Sequence, residues 1–167
     1  KCWGANGSGQ LGQGNTTTVG DGVVGSGAMG DSLPAIDLGA GRTATAISAG
    51  GDRTCAVLDN GQVKCWGDNA DGELGLGDSA DRGDGVGEMG DNLPSVNLGT
   101  GRSATAIVTS DLHTCALLDN GTVKCWGLND RGQLGLGDVD SRGDGVGEMG
   151  DDLGAVLLGT GRTAVAV

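Results

Sequence analysis

The sequence has 167 residues, of which 37 are glycine, three are tryptophan and none is phenylalanine or tyrosine. This composition excludes a large aromatic core, and the lack of a strict three-residue glycine period excludes collagen. A net charge of −12 disfavours contact with phosphate backbones, so we expect no nucleic-acid partner. No apolar run approaches the roughly 20 residues of a membrane-spanning helix, so we also expect no membrane span.

Several motifs recur along the chain at a nearly constant interval. KCWG begins at residues 1, 64 and 124, and EMGD begins at residues 88 and 148. The first interval is 63 residues instead of 60, and we place the three extra residues in a surface loop at 23–30. We therefore expect one repeat array over residues 1–167. Its repeat-like units are 1–42, 43–102 and 103–162, with the start of a further blade at 163–167.

One unit contains four predicted strands in chain order. TATAISAG at 43–50 alternates small polar and apolar residues, TCAVL at 54–58 follows, and QVKCWG at 62–67 comes after an Asp-Asn-Gly turn. A glycine- and aspartate-rich loop then leads to LPSVNLG at 93–99, and no helix is expected because glycines interrupt every helical stripe. We predict an all-β fold that is part of a β-propeller, with almost three four-stranded antiparallel blades. A β-sandwich and a β-solenoid are the alternatives.

The motifs AGGDRTCAVLDNGQVKCWG at 49–67 and RGQLGLGD at 131–138 resemble the regulator of chromosome condensation repeat family. The resemblance extends over all 167 residues and implies a propeller, which in this family has seven four-stranded blades. It assigns no single function, because members include a nucleotide exchange factor, ubiquitin-ligase adaptors, a photoreceptor and a β-lactamase inhibitor. The cysteine pairs and the RGDGVGEMGD loop at 82–91 resemble a bacterial, exported branch of the family.

Each complete predicted hairpin carries two cysteines. A three-residue loop of Asp59, Asn60 and Gly61 places Cys55 opposite Cys65, at a Cα separation of about 4.5–5.5 Å that a disulfide can span. The same register applies to the later copy, so we predict the disulfides Cys55–Cys65 and Cys115–Cys125. Buried free thiols and a zinc site are the alternatives, and disulfides would indicate an oxidising compartment outside the cell or at its surface.

Cys2 has no predicted partner within the chain. By repeat register, its partner would stand ten residues earlier, and the array ends inside the first strand of another blade. We interpret the chain as an excerpt of a longer array, or as one segment of an assembly in which copies complete each other's blades.

The acidic loops are weak calcium candidates. Their spacing does not match the EF-hand pattern, so a solvated acidic loop is the preferred interpretation and no other cofactor is expected. The candidate ligands are Asp78, Asp81, Asp84, Asp138, Asp140 and Asp144. The tripeptide RGD at 82–84 and 142–144 could be an adhesion motif, but chance or local turn chemistry in a chain rich in these residues is the preferred explanation.

The remaining candidates concern packing and partners. We expect Trp3, Trp66 and Trp126 to pack between blades. One histidine and no recurring catalytic set argue against an enzyme. The leading hypothesis is a non-enzymatic secreted or cell-surface propeller module that binds a protein partner or acts as a scaffold. The alternatives are a self-assembling array or filament, and an inhibitor or exchange-factor-like regulator of an enzyme.

Overall fold

The computed structural model describes residues 1–22 and 29–167 and is all-β. The predicted insertion at 23–30 falls largely outside the described residues. Two antiparallel sheets have the same strand order. The first contains β1 (Ala44–Gly50), β2 (Arg53–Leu58) and β3 (Val63–Gly67), and the second contains β4 (Ala104–Thr109), β5 (His113–Leu118) and β6 (Val123–Gly127). None of the described helices has the length and apolar character needed to span a bilayer.

The hairpin register follows the prediction. In the first sheet Cys55 pairs with Cys65 and Val57 pairs with Val63. The Leu58 N–H donates to the Gln62 carbonyl at 2.8 Å, which leaves a three-residue loop closed by Gly61 at a φ of 77°. A residue with a Cβ rarely adopts this left-handed conformation, so glycine is the residue that the loop requires.

The fourth strand of each predicted blade is an extended segment instead of a regular strand. Residues 94–98 hydrogen-bond to β3 through the Val96 N–H and the Val63 carbonyl, at 2.8 Å. Pro94 has no N–H to donate, and Gly99 leaves the extended conformation at a φ of 107°. Each blade therefore has three regular strands with one irregular outer segment.

In the first sheet both faces of β2 and β3 are buried, which is incompatible with a two-layer sandwich. Every residue of β2 is buried. Residues of alternating parity along a strand point to opposite faces. One face, which includes Val57 and the Cys55–Cys65 pair, packs against Leu118 and Trp126 of the second sheet. The opposite face packs against segments that precede β1 and follow β3, as expected when successive blades stack front to back.

Three 3₁₀ turns, at Gly30–Ser32, Gly90–Asn92 and Gly150–Asp152, depart from the expectation of no helix. Each is a single turn, and in the first two Leu33 and Leu93 close it by donating to the carbonyl of its first glycine. The lysine of each KCWG motif reaches the same glycine carbonyl. The Nζ–O distances are 2.7 Å for Lys1 and Gly30, 2.6 Å for Lys64 and Gly90, and 2.6 Å for Lys124 and Gly150.

Candidate functional site

A buried asparagine organises the glycine-rich loop that follows each KCWG motif. Asn69 is fully buried, and its Nδ2 donates to the carbonyls of Asp78 and Ala80 at 2.8 and 3.0 Å. Its Oδ1 accepts from the Leu74 N–H at 2.9 Å. Asn6 and Asn129 make the same contacts in their own units. The sequence analysis missed these residues, although their recurrence at 6, 69 and 129 follows the repeat interval.

The RGDGVGE loops dock on the glycine loop of the preceding unit. The Gly14 N–H donates to the Gly83 carbonyl at 3.0 Å, and the Gly77 N–H donates to the Gly143 carbonyl at 2.9 Å. A Cβ added at Gly83 would lie 2.9 Å from the Gly9 carbonyl oxygen. Two backbones can approach this closely only because no side chain separates them, so the glycine content serves the contact between units.

This docking buries the central glycine of each RGD tripeptide. Gly83 is buried, and Arg82 donates to the Ala80 carbonyl and to Asp78 Oδ2, the latter at 2.6 Å. Arg142 makes the equivalent contacts with Asp140 and Asp138. Because both guanidinium groups are used within their own loops, the structure supports the turn-chemistry interpretation of RGD.

A glutamate clamps the tip of each RGDGVGE loop. Glu88 Oε2 accepts from the N–H groups of Gly83 and Gly85 at 2.9 and 2.8 Å, and Glu148 does the same for the later loop at 3.0 and 2.8 Å. Charge-assisted bonds to two backbone donors hold the loop in one conformation. Val86 and Val146, at the two tips, are each 97% exposed.

Each loop tip borders a groove that it forms with segments of the preceding unit. The first groove, of about 390 Å³, lies between the 85–89 loop, the 12–15 loop and the segment at 34–37. The second, of about 310 Å³, lies between the 145–149 loop, the 75–77 loop and the segment at 94–97. Ten of the eleven lining positions of each groove correspond at the repeat interval, whereas Asn15 lines only the first groove and Asp152 only the second. We call this pair the repeat grooves, and they are the candidate functional site.

The calcium candidates do not converge. Asp78 and Asp138 use both carboxylate oxygens to accept hydrogen bonds, from arginine and from loop donors. Asp81 accepts from the Asn69 N–H, and burial raises the pKa of its carboxyl. Residues 1–22 and 29–167 contain no group of three or more His, Cys, Asp or Glu side chains that could hold a metal ion. Asp84, Asp140 and Asp144 remain separate from any such cluster.

The structure contains the disulfides Cys55–Cys65 and Cys115–Cys125, each with a Cα–Cα distance of 4.1 Å. Both pairs belong to apolar clusters on the same face of their respective sheets. Cys2 is a free, partly buried thiol whose pKa is raised by burial.

Two of the three tryptophans lie between units. Trp66 Nε1 donates to the Gln10 carbonyl at 3.0 Å, and Trp126 Nε1 donates to the Glu73 carbonyl at 2.9 Å. Both rings are buried, whereas Trp3 is 59% exposed. Among the described residues, no loop offers Trp3 a backbone carbonyl in the way that Gln10 and Glu73 do for Trp66 and Trp126. Packing of Trp3 between blades therefore stays a prediction.

A buried ion pair lies at the junction of the two sheets, with both partners in the unit 43–102. Arg53 Nη2 contacts Glu73 Oε1 at 2.9 Å, and both side chains are 1% exposed. The same guanidinium donates to the carbonyls of Ser110 and Asp111, which precede β5. His113, at the position of Arg53 one repeat later, has its pKa lowered by burial and by the nearby Arg53 charge. The sequence analysis identified none of these contacts.

Comparison with known proteins agrees with this architecture. Residues 44–73 and 104–133 match the model of the Regulator of chromosome condensation (RCC1) repeat. The chain is 31% identical to the Ultraviolet-B receptor UVR8 of Arabidopsis thaliana over 84% of its own length and 28% of the receptor. It is 30% identical to the human E3 ubiquitin-protein ligase HERC2 over 83% of its length and 3% of the ligase. The chain thus spans well under a third of either relative.

A solved structure shares the fold. Prp20p from Saccharomyces cerevisiae superimposes with a TM-score of 0.58 at 21% identity, over 86% of this chain and 32% of that one. The three-stranded blades, their front-to-back stacking and the two matched repeats agree with one another. The chain therefore belongs to the Regulator of chromosome condensation (RCC1) repeat family and forms part of a β-propeller.

Proposed function

We propose that this chain is part of a non-enzymatic secreted or cell-surface propeller that binds a protein partner through its blade loops. The observation that carries the proposal is the repeated RGDGVGE loop. Its backbone is clamped by Glu88 or Glu148, while Val86 or Val146 is held almost fully in solvent. An apolar side chain that is kept exposed on a rigid loop lowers the entropic cost of binding a protein surface.

The compartment is inferred from the disulfides. Two buried disulfides in consecutive blades are typical of proteins that fold in an oxidising environment, and they are rare in the reducing cytosol. We therefore place this propeller outside the cell or at its surface.

Protein partners are also recorded for the same fold. Prp20p of Saccharomyces cerevisiae has binding properties toward Gsp1p and histones. This likeness concerns architecture, so it favours a protein-binding role for the present chain without identifying the partner.

We assign no catalytic role to the one serine–histidine contact. Ser110 Oγ lies 2.7 Å from His113 Nδ1, but it also donates to the His113 carbonyl and accepts from the His113 N–H. These bonds are characteristic of a local turn that orders the chain before β5. The hydroxyl is therefore a turn-stabilising group in our proposal.

We also propose that the sixty-residue unit is the building block of the array. The boundaries 1–42, 43–102 and 103–162 divide it so that the second and third units each contain one three-stranded sheet. The segment at 163–167 then begins another blade. The Ala164 N–H donates to the Gly121 carbonyl at 2.9 Å, as the Ala104 N–H does to the Gly61 carbonyl one unit earlier.

Site-specific crosslinking tests the binding role. A photoreactive amino acid at position 86 or 146 should capture a discrete protein when the chain is exposed to the extracellular or surface fraction of its source cells. The same group at Val139, a 63% exposed residue that lines neither groove, is the matched control. Equal yields at all three positions would contradict a loop-directed partner. Free thiols at Cys55 and Cys65 in rapidly alkylated native material would contradict the compartment.

Self-assembly is the second candidate, and one observation favours it. Ile47 on β1 is 56% exposed, whereas the equivalent Ile107 on β4 is 8% exposed because the first sheet covers it. A further blade, supplied by a second copy, would bury Ile47 in the same way. Sedimentation of this chain over a range of concentrations would reveal ordered oligomers if copies supply that blade, and a constant monomer mass would reject self-assembly.

A further inference from the structure

The walls of the repeat grooves combine exposed backbone with apolar side chains. Val86 and Met89 line the first groove with Pro34, and Val146 and Met149 line the second with Pro94. Glycines 12, 14, 85 and 87, or 75, 77, 145 and 147, form much of the remaining wall. Such a surface offers apolar contact and backbone hydrogen-bonding groups to a ligand.

Among the residues that the structure describes, the charged ones that line the grooves are both acidic. Asp37 lines the first groove and Asp152 lines the second. Within the described part of the chain, no hydrogen-bond or ion-pair partner engages the Asp152 carboxylate, which is exposed. A further aspartate, Asp84 or Asp144, stands beside each valine tip on the same loop.

The neighbouring cations are used elsewhere in the fold. Lys64 donates to the carbonyls of Leu38 and Gly90, and Lys124 donates to those of Leu98 and Gly150. The arginines of the two loops hold Asp78 and Asp138 in ion pairs of 2.6 and 2.9 Å. None of these four cations lines a groove, so among the described residues the charged groups that can meet a ligand there are carboxylates.

We propose that the repeat grooves are tandem docking sites for a partner-protein segment that carries apolar side chains flanked by lysine or arginine. The apolar side chains fill the groove beside the valine tip, and the cationic side chains meet the groove aspartates. This inference rests on the proposed protein-binding function and specifies the surface and the chemistry of the partner. The net charge of −12 adds long-range attraction for such a segment.

Two features of the fold favour such a segment. The Glu88 and Glu148 clamps hold the groove walls in place before binding, so little ordering is required. Because the grooves repeat on successive blades, a segment long enough to reach both would occupy them together. Linked occupancy raises the effective concentration for the second contact and strengthens binding overall.

The test uses labelled synthetic peptides and matched lysine substitutions. The probes are short peptides of alternating lysine and valine, of glutamate and valine, and of lysine and serine. We expect the lysine–valine peptide to bind the unaltered chain most tightly, with an affinity that falls as salt is added. Val86→Lys and Val146→Lys should each weaken this binding by about tenfold, because each places a cation at the groove rim.

Val139→Lys is the control because it makes the same charge change at an exposed site outside the grooves. It should change the affinity by no more than about twofold, because one added cation outside the grooves alters the net charge of −12 only slightly and is largely screened at physiological salt. Equal losses for Val86→Lys and Val139→Lys would overturn the groove assignment, as would absent binding or equal affinity for the glutamate–valine peptide. If a photoreactive group on another loop then captured a protein partner, the protein-binding function would be retained and the grooves would be rejected as its binding site.

Discussion

Asn69 is one side chain that determines the conformation of a whole loop. Its amide is fully buried and joins the backbone at Leu74, Asp78 and Ala80. No other neutral side chain of similar size offers two donors and an acceptor in this arrangement. The loop that it holds carries Gly75 and Gly77, which line the second groove.

Asn69→Ala should therefore lower the free energy of unfolding by about 2–4 kcal/mol, since more than one buried backbone group loses its partner. Chemical denaturation monitored by tryptophan fluorescence measures the change. Asn92→Ala is the control, because Asn92 is exposed and donates only to the Gly87 carbonyl. Losses of similar size in the two variants would contradict the proposed role of Asn69.

His113 gives the folded protein a dependence on pH. Its pKa is lowered by burial and by Arg53, so the folded state binds a proton less readily than the unfolded chain does. A histidine whose pKa is lower in the folded state than in the unfolded chain contributes stability at a pH above the unfolded-state pKa of about 6.5. This stability is lost as the pH falls below that value.

We predict that the free energy of unfolding decreases on acidification from pH 7 to pH 5, and that His113→Gln reduces this decrease. His113 is the only histidine in the chain, so the difference between the two proteins isolates its contribution. Parallel pH profiles for the unaltered chain and His113→Gln, measured by denaturant titration, would contradict this assignment.

At the scale of the element, the hairpin combines a glycine turn with a cross-strand disulfide. The three-residue loop aligns the two cysteines, and the bridge then fixes the register of β2 and β3 or of β5 and β6. Strands in this chain have few large side chains to specify their pairing, so the covalent link supplements a small apolar core.

Removing one bridge should cost about 2–3 kcal/mol, as expected for the closure of a short loop. The paired substitution Cys55→Ser with Cys65→Ser tests this by denaturation against the unaltered oxidised protein. The same substitutions at Cys115 and Cys125 provide a comparison within the chain. An unchanged midpoint in both pairs would show that the bridges contribute nothing to stability.

The two bridges should also differ in their rate of reduction. Cys55 and Cys65 are completely buried, whereas Cys115 and Cys125 are 8% and 3% exposed. Thiol–disulfide exchange requires access to sulfur, so a mild reductant should open Cys115–Cys125 first. Alkylation at timed intervals followed by mass spectrometry identifies the order, and earlier reduction of Cys55–Cys65 would contradict it.

At the scale of the whole molecule, the junctions between neighbouring units share one kind of contact and differ in another. Gln10 and Glu73 offer their backbone carbonyls to the tryptophan of the next unit in the same way. Only the junction of the two sheets adds the buried pair of Arg53 and Glu73, in which Arg53 Nε is left without a hydrogen-bond partner. The positions equivalent to this pair in the next unit are His113 and Gln133.

A double-mutant cycle tests this junction. Arg53→His should lower the free energy of unfolding by about 3 kcal/mol because it leaves Glu73 buried without its cation. Glu73→Gln should cost less, since Arg53 keeps its two backbone carbonyl partners. The double variant reproduces the residue pair of the next unit, and we expect its loss to be smaller than the sum of the single losses by about 1–3 kcal/mol. Additive losses in denaturant titrations would contradict the coupling.

The parts of the fold that depend on near neighbours in the chain could be predicted from sequence. Alternation of polar and apolar residues predicts the strand positions, and one glycine predicts the three-residue loop that places Cys55 opposite Cys65. The repeat spacing then extends these predictions to the next unit. The prediction of a regular fourth strand was wrong. Pairing of this segment depends on residues about 30 positions earlier in the chain, and its backbone hydrogen bond to β3 is the one from the Val96 N–H to the Val63 carbonyl. The Asn69 contacts lie between these cases: a repeat alignment finds the residue but not its partners.

By itself, the sequence determined the all-β class, the sixty-residue unit and the local geometry that aligns the cysteines, because these depend on periodicity and on turns a few residues long. Only the tertiary structure decided that Arg82 is held inside its loop, that Arg53 is buried against Glu73 and that Val86 and Val146 stand beside matching grooves. The grooves bring together residues from different units, and the Arg53 guanidinium also binds the carbonyls of Ser110 and Asp111 in the next unit. This packing is set by how one sheet lies on the next, and no pattern within a few residues of sequence encodes it.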